Sequence, residues 1–165
     1  HYLDSHAEGS APPRYLCLHD GLHWSQHFAD FIATQESSQS EVGRIVAPDL
    51  PGFGRSDKPK KESAYSPAWY VSVLREWWQE ISAAAASALH PPSTQAAAQA
   101  RVQIVLFQTD HSPHPLLAEL KIQLPALFQL PPLMLAAPHA SALDACPYPD
   151  AGHRAALRAW QRGNH

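Results

Sequence analysis

At 165 residues the chain can hold one domain with a proper core and is too short for two of ordinary size. Apolar residues make up 45% and charged residues 16%, a globular balance that excludes a disordered chain. A formal charge of -3 with no Lys/Arg stripe argues against nucleic-acid contact. No apolar run approaches the ~18 residues of a membrane span, because Pro125, Pro131, Pro132 and Pro138 interrupt the one candidate region, so the chain is read as soluble. No compartment is indicated.

In chain order, "HYLD" alternates briefly and "RYLCLH" from Arg14 to His19 reads as a buried strand. Trp24, Phe28, Phe31 and Ile32 then recur at helical spacing up to Ala33. "RIVAP" from Arg44 is a second buried strand, rich in β-branched residues. It feeds the turn "DLPGFGRSDKP", in which Asp49, Gly52, Gly54 and Ser56 are expected to hold the backbone: the glycines supply unusual dihedrals and the side-chain oxygens cap free amides. Pro67 to about Leu89 reads as a helix with Trp69, Val73, Trp77 and Ile81 every four residues down one buried face. The stretch at about 90–100 is low in complexity and reads as an insertion or linker.

"RVQIVLF" from Arg101 to Phe107 is a third buried strand, "LLAELKIQL" a short helix, and "LPPLMLAA" a fourth buried strand. "DAGHRAALRAWQR" is a C-terminal helix with Asp150 as its N-cap. Strands alternating with helices, and continuously apolar, predict an α/β fold: a mostly parallel sheet covered by helices on both faces. Sites in such sheets form at the carboxyl ends of the strands. That directs attention to "HDGLH", "DLPGFGRSD" and "QTDHSPH". Residues 1–140 are read as the core unit and 141–165 as a separate remnant. Cys17 and Cys146 lack metal-type spacing and are read as buried free thiols. The chain opens on His1 with no initiator Met and no signal-peptide pattern, and is expected to be a mature, trimmed or partly observed product.

Together these pieces resemble the α/β-hydrolase superfamily, and within it the haloalkane dehalogenases and their epoxide-hydrolase relatives. "HYLD", "RYLCLHDGLHWSQHF" and "GRIVAPDLPGFGRSDKP" stand in that family's order and spacing, and "PYPDAGHRAALRAW" from Pro147 is similar to its motif at the end of the cap region. The resemblance implies an Asp nucleophile on a tight turn after the third buried strand. That Asp displaces halide to form an ester, which a His with an acidic partner then hydrolyses. It also implies that the C-terminal half and most of the cap are missing from this chain.

Three departures set this chain apart. Where the family has His-Gly, this chain has His19-Asp20 followed by Gly21, placing an extra carboxylate in the oxyanion or halide region, which also takes in His111. The elbow reads Gln108-Thr109-Asp110-His111-Ser112-Pro113 in place of Gln-Asp-Trp-Gly-Gly, so either Thr109 or Asp110 takes the nucleophile position and the Gly pair is gone in both registers. His153 and His165 lie in no segment that resembles the family's base motif.

Other readings stand beside these. Asp110 is either the catalytic residue or an Asp capping a helix that starts near Pro113. Asp110, His111 and His114 form a superficial metal set, but eleven His make chance proximity common and no metal or cofactor is expected. His23 and His27 sit four apart on a partly exposed helix face. Trp78, one residue round from Trp77, is the better interface candidate. The kept scaffold turns and altered catalytic loops lead to a catalytically inactive, haloalkane-dehalogenase-like chain serving as a structural or interaction subunit, with a protein partner covering an exposed sheet edge. The alternatives are an active hydrolase using Asp110, its base supplied by sequence outside this chain, and a small-ligand binder that uses the old pocket without chemistry.

Overall fold

The computed structural model describes residues 1–6, 12–21, 23–37, 43–88, 102–108, 114, 116–136 and 150–162. Five strands, β1 (Tyr2–Asp4), β2 (Pro13–Leu18), β3 (Arg44–Pro48), β4 (Gln103–Gln108) and β5 (Leu133–Ala136), form one sheet in the order β1-β3-β2-β4-β5. β1 runs antiparallel to β3, and the other pairings are parallel. Between the strands lie α1 (Ala29–Ser37), entered through a 3-10 turn at Ser25–Phe28, α2 (Pro67–Ala88) and α3 (Leu117–Gln123); α4 (Ala155–Arg162) follows a 3-10 turn at Gly152–Arg154.

Side chains alternate across each strand, so the sheet builds two cores. Leu16, Leu18, Val46, Ile104 and Leu106 face α2, α3 and α4, where Tyr70, Val71, Leu74, Leu120 and Trp160 meet them. Cys17, Ile45, Ala47, Val105 and Phe107 face the other way, toward Phe28 and, at the margin, Phe31 and Ile32. Phe28 stacks on Phe107 with ring centroids 4.1 Å apart, fixing α1 to the centre of the sheet. Burial on both sides is why these strands are continuously apolar. Arg44, fully buried, is the exception: its Nη2 and Nε reach the Asp4 carboxylate at 2.7 and 3.0 Å, locking β1 to the start of β3.

Four expectations are corrected here. β5 forms but is not buried: Leu133 and Met134 are 41% and 44% exposed, because among the described residues this strand pairs only with β4. The buried face of α2 runs through Tyr70, Val71, Leu74 and Ile81, leaving Trp69 and Val73 half-buried beside it. Trp77 and Trp78 are both half-buried against the same core, so Trp78 is not singled out as a surface residue. Asp150 is not the N-cap of α4: Ala151 caps the 3-10 turn that leads into it, and Asp150, one residue earlier, accepts the His153 amide at 3.0 Å. Cys17 is a buried free thiol, and burial pushes its pKa up. Cys146, the linker at 90–100 and residues 141–149 and 163–165 lie outside the described residues. Among the described residues no helix is long and apolar enough to cross a membrane.

Candidate functional site

The carboxyl ends of β2 and β3 bring their two loops together through a backbone frame. Asp49 has a side chain with no exposure and is saturated by donors: Oδ1 takes the Ser25 amide at 2.8 Å, and Oδ2 takes the Arg55 amide at 2.9 Å and His1 Nδ1 at 2.8 Å. The Ser56 hydroxyl donates to the Asp49 carbonyl at 2.7 Å and closes the turn. Gly54 has φ +50°, and a Cβ there would lie 2.3 Å from the Asp49 carboxyl carbon. The turn therefore wraps around its own carboxylate, which only glycine permits.

His19, at the end of β2, is fully buried. The Leu50 amide points at its Nε2 at 3.0 Å and the Gly21 amide at its Nδ1 at 3.2 Å. Whichever nitrogen carries the ring proton, only one of these amides can be bonded, and a doubly protonated ring would face two donors. Burial lowers the His19 pKa to about 4, against the opposing pull of Asp49 and Asp20. Asp20 is also buried. Its carboxylate holds the His23 amide at 2.9 Å and His23 Nδ1 at 2.9 and 3.0 Å. This corrects the helix-face reading of His23: it lies before the first turn, buried and paired with Asp20, with the His27 ring 5.0 Å away.

His114, beyond the end of the neighbouring strand β4, reaches the same place. Its Nε2 donates to the His19 carbonyl at 2.8 Å and its Nδ1 accepts the Leu116 amide at 3.3 Å, so the neutral Nε2–H tautomer satisfies both. Burial lowers its pKa as well. The other two members of the metal set read in the sequence, Asp110 and His111, lie outside the described residues, and among the described residues no group of three or more His, Cys, Asp or Glu could hold a metal. Thr109, Asp110, His111, Ser112 and Pro113 lie outside the described residues. The described helix that follows begins at Leu117 with Leu116 at its N-cap.

One helix lies across this ground. Gly21 has φ +82°, and a Cβ on it would stand 2.6 Å from Trp160 of α4; a Cβ on Gly52, φ +92°, would stand 2.2 Å from the Cβ of Ala156. Ala156 and Trp160, four residues apart on one face of α4, thus seat on the turns after β3 and β2. Trp160 also meets Phe53, Tyr70 and His114 edge-on at 5.4, 5.3 and 6.0 Å. Arg158 and Arg162 both bind Glu62, pinning the outer side. The convergence of His114 and Trp160 on the His19 loop was not legible in the sequence; the Ala156–Trp160 spacing was its only trace.

Comparison with known proteins finds similarity over part of the sequence and a shared fold. A haloalkane dehalogenase of Mycobacterium marinum is 35% identical over 88 residues, covering 53% of this chain and 28% of the relative. One of Mycolicibacterium paratuberculosis is 33% identical over 92 residues, 50% of this chain and 31% of the relative. The tetrameric structure of haloalkane dehalogenase DpaA from Paraglaciecola agarilytica NO2 superposes with a TM-score of 0.57 at 22% identity, over 98% of this chain and 59% of that one. The chain has the α/β-hydrolase fold and is similar in part of its sequence to haloalkane dehalogenases. No family model matches it. The chain spans under a third of the curated relatives it matches and about three fifths of the solved neighbour.

Proposed function

We propose that this chain keeps the α/β-hydrolase scaffold without the chemistry and serves as a structural or interaction subunit. The observation that carries the reading is Asp20. A carboxylate buried at the strand end, where the family resemblance has glycine, opposes any anion that forms in the oxyanion or halide region. The neighbouring Gly21 amide is turned toward the His19 ring, and Trp160 packs over Gly21, so that amide does not face an open anion site. The β5 edge, with Leu133 and Met134 exposed, is where a protein partner adds cover. DpaA is tetrameric, and a second copy of this chain is one such partner.

The test is direct. Incubation with a haloalkane and an epoxide leaves Asp110 unmodified by mass spectrometry and releases no halide. An ester on Asp110, abolished by Asp110→Asn, establishes the second reading: an active hydrolase whose base comes from sequence outside these residues. That reading is supported by the curated relatives, which carry the name haloalkane dehalogenase at 33–35% identity. Asp20→Gly separates the two causes of silence, because halide release that appears only in this variant shows that the carboxylate alone blocks the reaction.

A further inference from the structure

Charge is unevenly spread over the chain. Residues 57–62 and 150–162 hold six Lys and Arg against three Asp and Glu, a net charge of +3 in a chain whose total is -3. Half of the chain's 12 Lys and Arg therefore stand in these two segments. Only the fold joins them. Glu62, beyond the turn that follows β3, meets Arg158 of α4, 96 residues away in sequence, and Arg162 one helical turn later. Lys60 Nζ lies 3.9 Å from Asp150 Oδ2, so the loop runs beside both ends of the second segment.

This face keeps donors to offer. Lys60, Lys61, Arg154 and Arg162 are exposed and Arg158 is partly so, and among the described residues no acid pairs with Lys61 or Arg154. Arg158 gives Nε to Glu62 and Nη1 to the Ala151 carbonyl at 2.7 Å, and Arg162 gives Nη2 to Glu62. A guanidinium carries five N–H donors, so each retains others. Glu62 also shows what these groups take: one carboxylate is shared by two guanidiniums a helical turn apart.

Three features narrow the partner to an acidic stretch of protein. Arg154, Arg158 and Arg162 recur every four residues, a span of about 12 Å that about three or four residues of an extended chain cover. A membrane surface takes up apolar side chains, and the exposed large ones among the described residues, Ile122, Leu133 and Met134, all lie outside these two segments. The rest of the chain carries a net charge of -6, which repels a long polyanion such as nucleic acid wherever it extends past this face.

We propose that the surface formed by Lys60, Lys61, Arg154, Arg158 and Arg162 docks a short acidic segment of a partner protein, whose carboxylates join Glu62 on the guanidiniums. With α4 it lies over the ends of β2 and β3, apart from the β5 edge, and it stands whether or not Asp110 reacts.

A tetraglutamate peptide carrying an uncharged fluorophore is the probe, followed by anisotropy with the whole chain. It binds saturably in about 0.1 M salt and weakens as salt is raised, because exposed charges are screened beyond about 10 Å there. Lys61→Glu combined with Arg154→Glu weakens binding at least about tenfold and leaves the thermal midpoint in place, whereas Arg75→Glu, at an exposed cation of α2, changes it less than about twofold. Glu62→Gln, which frees both guanidiniums from their internal carboxylate, tightens binding about threefold. The proposal is overturned if the peptide does not saturate, if Arg75→Glu weakens binding as much as the double variant, or if Glu62→Gln weakens it. It is overturned as well if oligothymidylate or vesicles of anionic phospholipid bind more tightly than the peptide.

Discussion

Acidification loads the site through His19. Its pKa is about 4 in the folded chain and near 6.5 for an ordinary imidazole, so between those values the unfolded chain binds a proton that the folded chain refuses. The contribution is fully present above pH 6.5 and is lost as pH falls toward 4. At pH 4 the unfolded state has gained about 3 kcal/mol from this residue, from 1.36 kcal/mol per unit over about two and a half units, less the half-protonation of the folded form. His114, lowered by the same burial, adds in the same direction. Urea unfolding followed by tryptophan fluorescence from pH 7 to pH 4 measures the total. His19→Gln isolates the residue, because the amide oxygen can accept from Leu50 without titrating. The expected result is a wild-type stability that falls about 3 kcal/mol further than the variant's across this window. Parallel pH profiles for the two proteins would refute the reasoning, since every other acid-sensitive group is common to both.

Three further outcomes follow from packing. Gly54→Ala forces a Cβ against the Asp49 carboxylate at positive φ, and is expected to cost at least about 2 kcal/mol, read as a lower thermal midpoint. Asp4→Ala leaves the Arg44 guanidinium buried without its bidentate partner and should cost about 3 kcal/mol by urea unfolding, whereas an exposed ion pair such as Lys60 with Asp150 costs almost nothing. Met134→Lys on β5 should leave the thermal midpoint within a degree or two. In light scattering it should lower any self-association, as a charge on an open edge does.

What the sequence made legible follows the physics of each element. β2, β3 and β4 are buried on both faces, so unbroken apolar runs announced them, and α2 was bounded by Pro67 at its first turn. The face of α2 was harder. Tryptophans every four residues marked a stripe, yet the core lies one residue round, on Tyr70, Val71 and Leu74, because the large indoles pack at the rim where part of the ring stays wet. β5 misled for a different reason: Leu133 and Met134 are apolar like their neighbours in β4, and only strand order, a long-range property, decides that one is central and the other at an edge. His23 looked like a helix-face residue because periodicity cannot see that the helix starts late. Its burial depends on Asp20, three residues earlier, which supplies the partner.

The turn from Asp49 to Pro59 joins these strands of reasoning. It is the most distinctive string in the chain, and its carboxylate spends every contact on backbone amides and His1. Its two glycines serve different ends. Gly54 admits the turn's own Asp49, a purely internal need, whereas Gly52 admits Ala156 of α4. The second contact carries the turn beyond local architecture: with Gly21 under Trp160, it fixes α4 over the carboxyl ends of β2 and β3. A chain that lost reactivity would still be held to Gly52 and Gly21 by the packing of that helix. Retention of this motif is therefore a measure of how α4 docks, and the chemistry must be judged at Asp20 and Asp110 instead.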